Sequence, residues 1–113
     1  KIIEGAIQSL SNKDHRIRLG DLSIKRDWGW AEEYIHAMQL VNRSEILRDH
    51  VICTGKMISL EQFVKLTFEK LNLNWTQHVE IDANLFRKEE IRQSVGDPIP
   101  LQEHLGWRAR LSV

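Results

Sequence analysis

The sequence predicts an α/β fold of short strands mixed with helices, and three observations carry that prediction. Helix-spaced apolar stripes alternate with brief runs in which polar and apolar residues take turns. Capping residues bracket several of the stripes. The chain, 113 residues long, has the length of one domain, in which folding buries roughly two thirds of the unfolded surface around a modest core.

The first element is helical, with Ile2, Ile3, Ala6, Ile7 and Leu10 at helix spacing and an end near Ser11 and Asn12. Arg16 to Leu19 alternates polar with apolar, as a half-buried strand ending at Gly20 does. A second extended piece covers Ile24 to Trp28. From Ala31 the set Ala31, Tyr34, Ile35, Met38 and Val41 marks another helix, with Glu32 and Glu33 in a first turn where the helix dipole favours anions. His50 to Gly55 is a short apolar run bounded by glycine and reads as a buried strand. Ser59 and Gln62 then form a capping box, with Ile58 and Phe63 spaced as a hydrophobic staple, ahead of a helix whose inner face is Leu60, Phe63, Val64, Phe68 and Leu71. His78 to Asp82 alternates again, predicting a strand with Val79 and Ile81 inward. Asp97, Pro98 and Gly106 delimit a closing helix over 98–105, after which Trp107 packs back.

Composition excludes several classes of function. The 16 basic and 16 acidic side chains cancel, and no block of five like charges occurs. The chain therefore lacks the footprint of a nucleic-acid-binding protein, and an anionic ligand must be caught by local charge. No apolar run approaches the roughly 18 residues of a membrane span. The five histidines show no zinc or di-metal spacing, so no metal site is expected. The single cysteine, Cys53, cannot form an internal disulfide and reads as a buried core thiol, which fits a cytoplasmic location.

The residues that can carry chemistry begin at the junction Lys25-Arg26-Asp27-Trp28, between a strand and a helix. A guanidinium at Arg26 can grip phosphate through two parallel hydrogen bonds worth about 1.5 to 3 kcal/mol each when partly dry. Arg26 can equally pair with Asp27 or Glu33. Arg87 and Glu90 form a second candidate pair: a cation for a diphosphate, and a carboxylate for a base edge or sugar hydroxyl. The plain alternative is an exposed ion pair three residues apart, worth a few tenths of a kcal/mol. Trp28, Trp30, Tyr34 and Trp107 can stack a base, although aromatic residues at such positions more often pack the interior.

The stretch Leu19-Gly20-Asp21-Leu22 through Lys25-Arg26-Asp27-Trp28-Gly29 and Ala31 resembles the GDP-mannose 4,6-dehydratase family of extended short-chain dehydrogenases. Phe86-Arg87-Lys88-Glu89-Glu90 is similar to the family's Phe/Tyr-Arg-Pro-x-Glu motif, with Lys88 in place of Pro and Arg92 in place of a later Asp. Gly96-Asp97-Pro98 and Leu105-Gly106-Trp107 also follow the family. The likeness covers Lys1 to Val113. It implies the C-terminal, substrate-binding part of a Rossmann-type enzyme, a single segment over 1–113 whose N-terminal dinucleotide-binding domain lies outside this sequence.

The resemblance further implies a parent enzyme that converts GDP-mannose to its 4-keto-6-deoxy sugar with bound NADP, held mainly by that other domain. The substrate-binding residues it points to are Arg26 and Arg87 for the diphosphate and Glu90 for the nucleoside. It also implies a homo-oligomeric parent. The catalytic and cofactor-binding residues of the family have no counterpart here. Tyr34 is followed four positions later by Met38 instead of Lys, and the glycines at 5, 20, 29, 55, 96 and 106 make no phosphate loop. The chain alone is therefore expected to be inactive. A related nucleotide-sugar dehydratase, epimerase or reductase, or a non-catalytic nucleotide-sugar-binding module, remains the alternative.

Overall fold

The computed structural model describes residues 1–111 and 113. They form helices α1 (Ile2–Ser11), α2 (Ala31–Arg43), α3 (Leu60–Glu69) and α4 (Ile99–Leu105), with strands β1 (Ile17–Leu19), β2 (Lys25–Asp27), β3 (Met57–Ser59), β4 (Val79–Ile81) and β5 (Gln93–Ser94). Two short 3-10 turns, Trp75–Gln77 and Ala83–Leu85, flank β4. The chain divides into two compact units, Lys1–Lys25 with Ser59–Arg92, and Arg26–Ile58 with Gln93–Val113.

The first unit is built on the parallel pair β1 and β4, in the register Ile17↔Val79, Arg18↔Glu80 and Leu19↔Ile81. Its core gathers Ala6, Ile17, Leu19, Leu22, Val64 and Phe68, with Leu60, Leu71 and Val79 packed around them. The alternation in Arg16 to Leu19 thus works as expected, since Ile17 and Leu19 are buried and Arg18 is exposed. Arg18 meets its register partner Glu80 at 3.6 Å, a surface pair worth less than about 1 kcal/mol. The capping signal at Ser59 is realised, because its hydroxyl accepts from Gln62 N at 3.1 Å. The face of α3 that follows buries Val64 and Phe68 completely.

Two expectations in this unit need correction. The helix α1 buries its small residues, Gly5, Ala6 and Ser9, while Ile3, Ile7 and Leu10 are exposed. The reason is closeness: a Cβ on Gly5 would lie 2.4 Å from Ile17 Cγ2, so α1 approaches β1 through a position that only glycine can fill without displacing Ile17. Ile81, expected inward, is 62% exposed. Only Val79 of its strand is packed into the core. A two-stranded sheet covers β4 over too short a length to bury both residues.

A three-stranded sheet has the strand order β3-β2-β5, and the second unit has a core of Ala37, Leu101 and Trp107, surrounded by Tyr34, Leu40, Val41, Ile52, Leu105 and Ala109. Tyr34 meets Trp107 edge-to-face at 6.2 Å. Here α2 is rotated from its expected setting, as Ala37 is buried and Ile35 and Met38 are exposed. Adjacent stripes on a helix differ by about 100° per residue, and apolar spacing alone does not choose between them when both are populated. The helix α4 starts one residue later than predicted. Asp97 Oδ1 accepts from Ile99 N at 3.0 Å, and Gly106 ends the helix at φ +69. A left-handed residue at that position is the usual glycine C-cap. Trp107 is buried directly after it, as expected.

The predicted strand over His50 to Gly55 does not form. Cys53 is buried as expected, but the donors of the next two residues go to a side chain instead of a ladder. Thr54 N and Gly55 N both donate to the Asp27 carboxylate, at 3.0 and 2.9 Å. The strand β3 begins only after that turn.

Candidate functional site

Arg26 lies in β2, in the second unit, and is half-buried. Side chains alternate along a strand, so Arg26 and Asp27 fall on opposite faces. Asp27 is fixed firmly. Its carboxylate accepts from Thr54 N, from Thr54 Oγ1 at 2.5 Å and from Gly55 N. Glu33, the other acid considered as a partner for Arg26, accepts from the backbone N–H groups of Arg110 at 3.0 Å and Leu111 at 3.2 Å. Both carboxylates thus organise backbone, and the strand holding Arg26 is anchored through its neighbour.

Arg87 and Glu90 lie in the first unit, and the structure brings them together. Arg87 Nε stands 3.9 Å from Glu90 Oε2, with the Arg87 side chain 80% exposed and Glu90 only 22% exposed. The pair occupies a turn and not a helix start. At that distance and exposure the attraction is weak, so Arg87 is an exposed cation held only loosely by a more buried carboxylate. Such a guanidinium can be transferred to an anionic ligand at little cost. Upstream, Asp21 Oδ1 accepts from Ser23 N at 2.8 Å. Hydrogen bonds from the Ser23 side chain and backbone hold the Asp21 carboxyl below the usual range.

The aromatic residues considered for base stacking divide. Trp107 and Tyr34 belong to the core of the second unit. Trp30 is exposed, and its Nε1 donates to Glu32 at 3.3 Å.

Tyr34 is the only tyrosine, and burial is the main cause that pushes its phenol up, with the charges of Asp27, Cys53 and Glu33 adding to it. A tyrosine base needs the opposite shift.

Sequence reasoning missed two arrangements. The first is the Asp27 clasp on Thr54 and Gly55, which a lone aspartate in a strand does not announce. The second is a cleft near 350 Å³ whose lining includes Thr54, Lys56, Gln102, Arg108 and Arg110. Its cations are scattered along the sequence, so no charge run marks them. Among the described residues no group of three or more His, Cys, Asp or Glu side chains could hold a metal ion, and no helix is long and apolar enough to cross a membrane.

Comparison with known proteins places these features in a family. The family model described as GDP-mannose 4,6 dehydratase matches residues 1–113. GDP-mannose 4,6 dehydratase 2 of Arabidopsis thaliana is 38% identical over 96 residues, covering 85% of this chain and 26% of that protein. The Homo sapiens GDP-mannose 4,6 dehydratase is 32% identical over 111 residues, covering 83% of this chain and 30% of its own length. The chain thus spans under a third of either relative. Among solved structures, RMD from Pseudomonas aeruginosa, complexed with NADPH, superposes with a TM-score of 0.82 at 16% identity, over 98% of this chain and 36% of that one. The dTDP-glucose 4,6-dehydratase of Bacillus anthracis, in complex with NAD, gives 0.80 at 13% identity, over 99% and 35%. At such identities the likeness is one of fold.

Proposed function

The chain belongs to the GDP-mannose 4,6-dehydratase family, and we propose that it is the nucleotide-sugar-binding part of such an enzyme, acting on GDP-mannose in an NADP-dependent parent. The observation that carries this reading is the family match over the whole chain, which takes in the segments of Arg26, Arg87 and Glu90. In the second unit Arg26 is assigned to the diphosphate. In the first, Arg87 is assigned to the diphosphate and Glu90 to the nucleoside. The exposure of Arg87 and its long contact to Glu90 support these roles, because a loosely held guanidinium gains more from a diphosphate than it loses on leaving the carboxylate.

The chain alone supplies binding and orientation but no group for hydride chemistry, so it is inactive by itself. Its single cysteine, free and buried, accords with a cytoplasmic parent. The homo-oligomeric assembly is part of the same proposal. A second reading, a related nucleotide-sugar dehydratase, epimerase or reductase, rests on Lys88 and Arg92, which change the charge beside Arg87 relative to the family pattern.

The test is calorimetric titration of the intact protein carrying this segment with GDP-mannose, UDP-sugars and dTDP-sugars, repeated for Arg26→Ala and Arg87→Ala. Losing a charge-assisted pair should weaken binding on the order of tenfold. Affinity unchanged within about twofold in both variants would remove the phosphate roles. A preference for UDP- or dTDP-sugars would select the second reading.

A further inference from the structure

We propose that the second unit carries an anion-binding cleft, distinct from the nucleotide-sugar contacts assigned above, in which Lys56, Arg108 and Arg110 hold a phosphoryl group. The cleft has a volume near 350 Å³, within the range of small-ligand sites. Its charged lining is cationic throughout: Lys56, Arg108 and Arg110 face it with the Gln102 amide, and no carboxylate lines it.

The backbone that carries these cations is held in place by the two nearby acids. Asp27 fixes the turn before Lys56 through Thr54 and Gly55. Glu33 fixes the backbone at Arg110 and Leu111. The Thr54 hydroxyl, which donates to Asp27 and accepts from Lys56 N at 3.1 Å, is scaffold and not ligand. The acids are thus committed to backbone donors. Among the described residues no ion pair involves Lys56, Arg108 or Arg110. Three converging cations without a counter-charge repel one another, and an entering dianion removes that repulsion. Two guanidiniums with an ammonium suit the oxygens of a phosphate better than those of a monovalent anion.

The recognised chemistry is a phosphoryl group, free or on a larger molecule. This inference does not rest on the nucleotide-sugar reading, since none of Arg26, Arg87 and Glu90 lines the cleft.

The experiment is a two-dimensional NMR titration of the chain with inorganic phosphate, pyrophosphate and a phosphate monoester, against sodium chloride at matched ionic strength. Saturable shifts at the amides of Thr54 to Lys56 and Arg108 to Arg110 are expected, with Kd on the order of 1 mM or tighter. Lys56→Gln and Arg110→Gln should each weaken binding about fivefold or more, whereas Lys70→Gln, an equal charge loss outside the cleft, should change it less than about twofold. Lys56→Arg should restore it. All these positions are exposed, and circular dichroism checks that each variant is folded. Tighter binding of the monoester than of free phosphate points to a larger phosphorylated ligand, and the reverse order points to the free ion. Shifts that do not saturate, that chloride reproduces, or that Lys70→Gln reduces equally overturn the proposal. So does a parallel loss of GDP-mannose affinity in Lys56→Gln of the intact protein, which would merge the cleft with the nucleotide-sugar site.

Discussion

Asp27 and Thr54 lie 27 positions apart, and the carboxylate of the first takes both the backbone N–H and the hydroxyl of the second. With Gly55 N added, one aspartate satisfies three donors of a turn that would otherwise have to join a sheet ladder. Replacing Asp27 with Ala leaves those donors to water or to nothing. A loss of about 2 kcal/mol or more is expected, read from urea denaturation, because hydrogen bonds to a charged acceptor contribute about 1.5 to 3 kcal/mol. Thr54→Val, which removes only the hydroxyl, should cost less.

Phe68 is completely buried in the core of the first unit, and its ring stacks on His78 at 5.8 Å. Phe68→Ala should destabilise that unit by about 3 to 5 kcal/mol, through lost transfer energy and the cavity left behind. Ile81→Ala, on the exposed residue of β4, should cost less than about 1 kcal/mol. Comparable losses at the two positions in denaturant titrations would contradict the inward and outward assignment.

The contrast between those residues shows what sequence patterning can resolve. The helices at 60–69 and 99–105 were legible because their signals are local: Ser59 with Gln62 in one, Asp97 and Gly106 in the other. The buried face of α2 was not, since Ile35 and Met38 satisfy helix spacing as well as Tyr34, Ala37 and Val41 do. The turn at 54–55 depends on Asp27, a partner that no local window contains. Arg26, Arg87 and Glu90 are proposed from motifs, whereas Lys56, Arg108 and Arg110 become a cluster only once the chain is folded.

At Gly106 the left-handed conformation closes α4, and a Cβ there meets nothing within 4 Å. Gly106→Ala should therefore cost about 1 kcal/mol from backbone strain alone, without a clash. Gly106→Asn should recover part of it, because Asn tolerates this region better. Thermal unfolding of the two variants measures the difference.

His104 Nδ1 lies 2.8 Å from His50 Nε2, with the two rings stacked at 5.0 Å. Desolvation first, then the charges of Arg48 and His50, lower the pKa of His104 from 6.5. A depressed histidine binds its proton more readily in the unfolded chain. The stabilising contribution is thus fully present above pH 6.5 and is lost as pH falls through the folded-state value. Unfolding midpoints measured from pH 8 down to about 5 should decline less steeply in His104→Gln. An NMR titration of the His104 ring should report a midpoint below that of an exposed histidine.

Each compact unit is stitched from two separate lengths of chain, with exchanges after Lys25, Ile58 and Arg92. A cut after Ile58 therefore leaves neither unit whole on a single peptide, whereas a cut after Lys25 or Arg92 divides only one of them. During synthesis the first unit cannot be completed until Arg92 has emerged, and by then the first of the second unit's two lengths is already made. Trimming the chain from either end can therefore spare one unit only while carrying along part of the other, and neither unit can be lifted out as one continuous piece of chain.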